Sequence, residues 1–160
     1  MESVTGNEAS TIDEQTFTVT RSISIAAPIE KVWRAITEPE HISRWFGQTL
    51  FDGAGRGAQG TMTFEGHDAV PIRIEQIDAP RAVTYRWCND NALDSPPSTL
   101  DEAHSTVFTF TLEVEGAGTR LTVVEAGFES TSAPLLNLQR HRVGWDEELD
   151  KLIALFEVQA

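Results

Sequence analysis

The chain has 160 residues, 40% hydrophobic and 23% charged, with a formal net charge of −13; this is enough for one globular core and excludes a disordered chain. The lone Cys88 excludes an internal disulfide framework and a zinc ribbon, and no run approaches the ~18 apolar residues of a membrane span. The acidity sets the surface against nucleic acid and anionic membranes.

The charge is unevenly spread. Residues 1–15 carry Glu2, Glu8, Asp13 and Glu14 without a Lys or Arg, and residues 89–104 carry Asp90, Asp94, Asp101 and Glu102, again without one. The first 15 residues therefore read as a flexible acidic N-terminal tail, and residues 16–160 as the folded domain. MESVTGNEASTIDEQ lacks the apolar segment of a secretory signal, so a cytoplasmic location is the default expectation.

From Thr16 to Ala26 the sequence alternates, with Phe17, Val19, Ile23 and Ile25 on one face and Thr or Ser on the other, the pattern of a half-buried strand. Pro28 opens a helix in which Ile29, Val32, Trp33 and Ile36 recur at helical spacing. Pro39 breaks it and begins a second short helix with Ile42, Trp45 and Phe46 on its apolar side. Gly53, Gly55, Gly57 and Gly60 lack the GK[ST] signature of a phosphate cradle and read as hairpin turns.

Further strands follow: Thr61–Glu65 with Met62 and Phe64 inward, Val70–Ile77 with a parity break that predicts a bulge, and a strand in which Val83, Tyr85 and Trp87 alternate. Residues 89–104 contain Pro96-Pro97 and no periodicity, and form a long loop. Thr106–Glu115 places Phe108, Phe110, Leu112 and Val114 on one face, and Thr119–Glu125 returns with Leu121 and Val123 inward. The last segment, Ser132 to Val158, is one long helix with Leu135, Leu138, Trp145, Leu149, Leu152, Ile153 and Phe156 on one stripe and Ser132 as its expected cap. Gly144 interrupts that helix and is read as a kink or a close approach.

The fold class expected from this order is α+β: a curved antiparallel sheet of about six to seven strands wrapped around the long C-terminal helix, with two short helices after the first strand. A twisted sheet does not lie flush on a straight helix, so a cavity is expected between them.

Three stretches carry a family resemblance. RSISIAAPIEKVWRAITEPEHISRWF resembles the opening of START-like (SRPBCC superfamily) proteins of the heat-shock-protein-90 ATPase activator homologue-like group, IEQIDAPRAVTYRW their middle hairpin, and GAGTRLTVVEAGF with GWDEELDKLIALF their closing hairpin and terminal helix. The resemblance spans about residues 17–157 and implies a helix-grip fold with a cavity for apolar or amphipathic small molecules. It also admits a chaperone as partner, or a cyclase or aromatase activity, because the superfamily includes all of these. Glu125 stands where a histidine-like residue is common in the group.

The candidate cavity residues are Trp45, Phe46, Phe64, Trp87, Phe108, Phe110, His141, Trp145 and Leu149. Arg21 and Glu125 lie on the apolar parity of their strands, where a charge is costly unless paired; they are expected to pair with each other, to meet a polar ligand group, or to be turned outward by a bulge. His141 lies four residues before Trp145, so both share a helix face; it reads as a surface histidine or as a general base. Cys88 has only Arg86 as a basic neighbour in sequence and reads as an inert thiol. No histidine shows metal-ligand spacing and the acids of the long loop lack EF-hand spacing, so no metal, catalytic residue or cofactor is assigned. The expected partner is a hydrophobic or amphipathic small molecule, with the protein a monomer or homodimer.

Overall fold

The computed structural model describes residues 7–90, 92–93 and 95–158, so Glu2 and Asp94 lie outside the described residues. The elements in chain order are β1 (Thr11–Asp13), β2 (Thr18–Ile25), α1 (Ile29–Thr37), α2 (Pro39–Ile42), β3 (Gln48–Asp52), β4 (Gln59–Thr63), β5 (Val70–Asp78), β6 (Ala82–Trp87), β7 (Thr106–Glu115), β8 (Gly118–Ala126) and α3 (Pro134–Val158). Eight strands form one antiparallel sheet in the order β1-β2-β8-β7-β6-β5-β4-β3. Strands β3 to β8 are a meander. The chain leaves β2 through α1 and α2, and the meander returns so that β8 lies beside β2.

Local chemistry explains these elements. Helix α1 buries Val32, Ala35 and Ile36, with Glu30 in its first turn and Arg34 in its last, the polarity that suits the helix dipole. Glu38, held extended at φ −91° and ψ 123° before Pro39, ends α1 as a residue preceding proline must. Pro39 then occupies the first position of α2, where its missing N–H costs nothing. The inward faces of β2, β6, β7 and β8 alternate buried and less buried residues as the period-2 pattern requires. Across them α3 lays a buried stripe of Leu138, Trp145, Leu149, Leu152 and Phe156.

The sheet has more strands than expected, and the two additions are short. Residues 11–13, read as tail, pair with Thr18–Thr20 as the edge strand β1, and Ser10 just before them is buried. Strand β3 exposes Leu50 (73%) while burying Thr49, an inversion of the usual hydrophobic signal. The bulge falls between Ile74 and Gln76, where the register with β6 shifts. Val114 and Leu135, assigned inward, are exposed at 70% and 57%: β7 overruns the core at its end, and Leu135 precedes the part of α3 that contacts the sheet. Gly144 faces open space within α3, so no described neighbour makes the close approach expected there. Ser132 does not cap α3; its N–H and hydroxyl both donate to Asp90.

Because Leu149 is fully buried and Leu135 is not, Leu149→Ala is expected to lower unfolding free energy by about 2–5 kcal/mol, and Leu135→Ala to change it by less than about 0.5 kcal/mol. Urea unfolding of both variants checks the position of the stripe.

Candidate functional site

The polar centre of the molecule is Glu125. Strand register places it in a row with Val19, Phe108, Tyr85 and Ile74, neighbours on successive strands. Its side chain has no exposure. A lone carboxylate there would be untenable, and the fold supplies four donors. Trp145 Nε1 (2.8 Å) and His141 Nδ1 (2.8 Å) meet Oε1. Trp87 Nε1 (2.8 Å) and Thr106 Oγ1 (2.5 Å) meet Oε2. An indole can only donate, so each carboxylate oxygen faces at least one obligate donor, and the group fits this pocket as an anion.

His141 is 6% exposed and both its ring nitrogens are engaged: Nδ1 with Glu125 and Nε2 with the Asn89 carbonyl at 2.8 Å. A carbonyl only accepts, so Nε2 carries a proton; with the carboxylate as an anion, Nδ1 carries one as well and the ring is an imidazolium. Burial alone would push the Glu125 carboxyl up, but the His141 charge and the hydrogen bonds from His141, Thr106 and Trp87 outweigh it and hold the group below its ordinary value. Burial alone would push His141 down; the Glu125 charge, its hydrogen bond and the Asn89 carbonyl outweigh it and raise the imidazole.

The chain around Asn89 is fastened to the same helix face. Asp90 accepts from Asn137 Nδ2 at 2.9 Å and from the Ser132 N–H at 3.0 Å and hydroxyl at 2.8 Å. Asn137, His141 and Trp145 succeed one another at i, i+4, so one face of α3 presents three polar groups to β8 and the start of the long loop. The other described acids of that loop are also engaged: Asp101 accepts from Ala103 N and pairs with His104, and Glu102 pairs with Arg73. Sequence reasoning missed Asn89, Asp90, Thr106 and Asn137. Thr106 and Asn137 carried a signal, the first by sharing the inward parity of Phe108 and the second by lying four residues before His141.

Arg21 and Glu125 do not pair. Arg21 is 6% exposed and reaches along the helix instead, where Nη2 donates to Asp150 Oδ1 (2.9 Å), Nη1 to the Asp146 carbonyl (3.1 Å) and Nε to the Glu8 carbonyl (2.9 Å). Their Cα positions explain this: Arg21 is opposite Val123 and Glu125 opposite Val19, so the two side chains are a register step apart and meet different turns of α3. Burial pushes the Cys88 thiol up, and its sulfur accepts from the Asp101 N–H at 3.1 Å, which suits a neutral, unreactive group.

The expected cavity is filled. Phe46 stacks on Trp45 at 4.8 Å and meets Trp145 at 5.5 Å, Phe64 at 5.6 Å, Trp87 at 5.7 Å and Phe108 at 6.0 Å. Phe110 closes the group against Trp145 at 5.8 Å, and Leu149 belongs to the helix stripe. The space that Trp45, Phe46, Phe108 and Phe110 share with Ile36, Met62 and Ile72 has no room for a water molecule. The gap left by sheet twist exists, but large rings occupy it. Phe64 is half-buried at its rim.

The Glu125–His141 pair sets a pH window. The lowered Glu125 contributes stability present above about pH 4.3, its unfolded value, and lost as pH falls through the lower folded value. The raised His141 contributes stability present below about pH 6.5 and lost as pH rises through the higher folded value. Both terms are complete between about pH 4.3 and 6.5. Urea unfolding across pH is expected to show a decline on the alkaline side of that window that is absent in His141→Gln. Glu125→Gln, which turns an NH₂ toward donors, is expected to cost about 3–5 kcal/mol at pH 5.5.

The fold and this geometry can be set beside known proteins. Protein MLL2253 from Mesorhizobium loti superimposes with a TM-score of 0.73 at 25% identity, over 89% of this chain and 98% of that one. CalU16 from Micromonospora echinospora gives 0.65 at 23% identity, over 96% and 86%. The Aha1 dimer from Colwellia psychrerythraea gives 0.68 at 17% identity, over 88% and 96%. No curated protein matches the chain by sequence. Residues 26–157 match the profile of the family described as activator of Hsp90 ATPase homolog 1-like protein; the chain belongs to that family and has its START-like helix-grip fold.

Proposed function

We propose that this protein is a non-catalytic binding protein that takes up an apolar or amphipathic small molecule between the sheet and α3, with Phe46 as the movable plug. The observation that carries the reading is the position of Phe46: it spans from the half-buried Phe64 at the rim to Trp87, Phe108 and Trp145 inside. It lies in the segment between α2 and β3, outside both elements, so its side chain can swing without unpairing a strand. A vacated phenylalanine volume is on the scale of the about 150 Å³ apolar cavities that stay dry and admit benzene.

The polar groups argue against chemistry at this place. A general base needs a free lone pair aimed at substrate, and a general acid a free proton. Both oxygens of Glu125, both nitrogens of His141 and the Arg21 guanidinium are bound by the chain itself. A cyclase-like or hydrolytic use of Arg21, Glu125 or His141 therefore requires these contacts to be broken first. A second reading, surface contact with a chaperone, draws on family membership and on the net charge of −13, which suits a basic face on a partner. Titrating a purified Hsp90-type chaperone into the protein tests it: saturable binding that weakens with salt supports it, and no binding excludes it.

Trp45, Trp87 and Trp145 all lie around Phe46, so their fluorescence reports uptake. A panel of fatty acids, aromatic polyketides and isoprenoids is expected to yield a saturable change in the wild type. Phe46→Ala, which needs no ring displacement, is expected to bind the same ligand at least about tenfold more tightly. Phe46→Leu serves if the alanine variant unfolds. Absence of any saturable response across the panel overturns the proposal.

A further inference from the structure

We infer that the groove between α1, α2 and the end of α3 is a binding site for a small amphipathic anion, a carboxylate or phosphate head on a short apolar body. This site is separate from the aromatic interior and does not rest on uptake there. The groove encloses about 130 Å³ and is lined by Lys31, Arg34, His41 and Arg44 above a floor of Ala35, Leu155 and Phe156.

The charge arrangement is unusual for this molecule. The chain has 12 Lys and Arg against 25 Asp and Glu. Arg21, Arg73, Arg86, Arg120, Arg142 and Lys151 all hold carboxylate partners. Lys31, Arg34 and Arg44 hold none among the described residues, and neither do Arg56, Arg81 and Arg140 elsewhere on the surface; what sets the groove apart is that three of these unpaired cations meet there, with Glu38, between the two helices, paired to His41 at 3.5 Å. Among the described residues no acid lines the groove. Three exposed cations thus converge on one concavity in a protein with acids to spare.

The chemistry of the lining selects the ligand. Two guanidiniums and an ammonium match a carboxylate or phosphate, which arginine can grip with two parallel hydrogen bonds. Phe156, 7% exposed, and the half-buried Leu155 give the body of the ligand an apolar surface, along which the aliphatic stems of Lys31, Arg34 and Arg44 can lie. An extended polyanion is disfavoured, because it would run onto the acidic remainder of the surface. A compact anion stays within about 8–10 Å, the screening length, of the three cations.

The test is an amide chemical-shift titration of the ¹⁵N-labelled full chain with octanoate, octyl phosphate and the uncharged control 1-octanol. Expected are saturable shifts at Lys31, Arg34, Arg44, Leu155 and Phe156 with one or both anions, and none there with 1-octanol. Whether octanoate or octyl phosphate binds more tightly identifies the head group. The exposed-site double variant Arg34→Gln/Arg44→Gln is expected to keep the wild-type Tm and weaken binding at least about tenfold, as is raising the ionic strength toward about 0.5 M. Equal shifts with 1-octanol, or no saturable shift in the groove, overturn the inference. Shifts confined to Phe46, Trp87 and Trp145 also overturn it, while supporting uptake into the interior.

Discussion

A fully buried carboxylate constrains everything around it. Glu125 on β8 draws one donor from β6 (Trp87), one from β7 (Thr106) and two from α3 (His141 and Trp145). Apolar packing alone tolerates sliding and rotation of a helix on a sheet, since side chains of similar volume interchange at modest cost. Four directional contacts to two oxygens do not. They fix how far α3 sits along β8 and which face it turns inward. Replacing a buried ion pair by apolar residues is often neutral or stabilising, so the net worth of this one lies in position more than in free energy.

That constraint propagates along α3 unevenly. In its first three turns the helix is held by polar contacts: Asn137 to Asp90, His141 to Glu125 and to the Asn89 carbonyl. In the middle, the Arg21 guanidinium bonds the Asp146 carbonyl and the Asp150 carboxylate. Among the described residues, the last two turns bury Leu152 and Phe156, continuing the stripe from Leu149. The long acidic loop also changes meaning. Its start at Asn89-Asp90 is a fastener for the head of α3, and its end at Glu102 reaches Arg73 on β5.

The sequence was legible where periodicity and burial agree. Strands β2, β7 and β8 and the stripe of α3 follow from alternation and from helical spacing. The charges of Arg21 and Glu125 on apolar faces required partners, and both have them. The identity of those partners was not legible. Trp87, Thr106, His141 and Trp145 lie 38, 19, 16 and 20 residues from Glu125, and only the strand register and the axial position of α3 bring them together. Strands β1 and β3 escaped because one has three residues and the other shows Leu50 to solvent. The cavity was inferred from sheet twist, which sets the gap between the layers; the fit of Phe46 among five rings decides that the gap is full.

The two ends of α3 differ in what can disturb them. Contacts at its head depend on the charge states of Glu125 and His141 and therefore on pH. Contacts at its tail are apolar and respond to temperature and to ligands that bury the same surface. Leu155 and Phe156 belong both to that tail and to the basic groove. A molecule seated there bears on the end of α3 that no described ion pair ties to the sheet. Trp145, on the same helix, touches Phe46 at 5.5 Å. Groove and aromatic interior are thus two surfaces of one helix, joined over the three turns between Trp145 and Phe156, where the described directional bonds from outside the helix come from Arg21 and from the Ser10 N–H to Asp146.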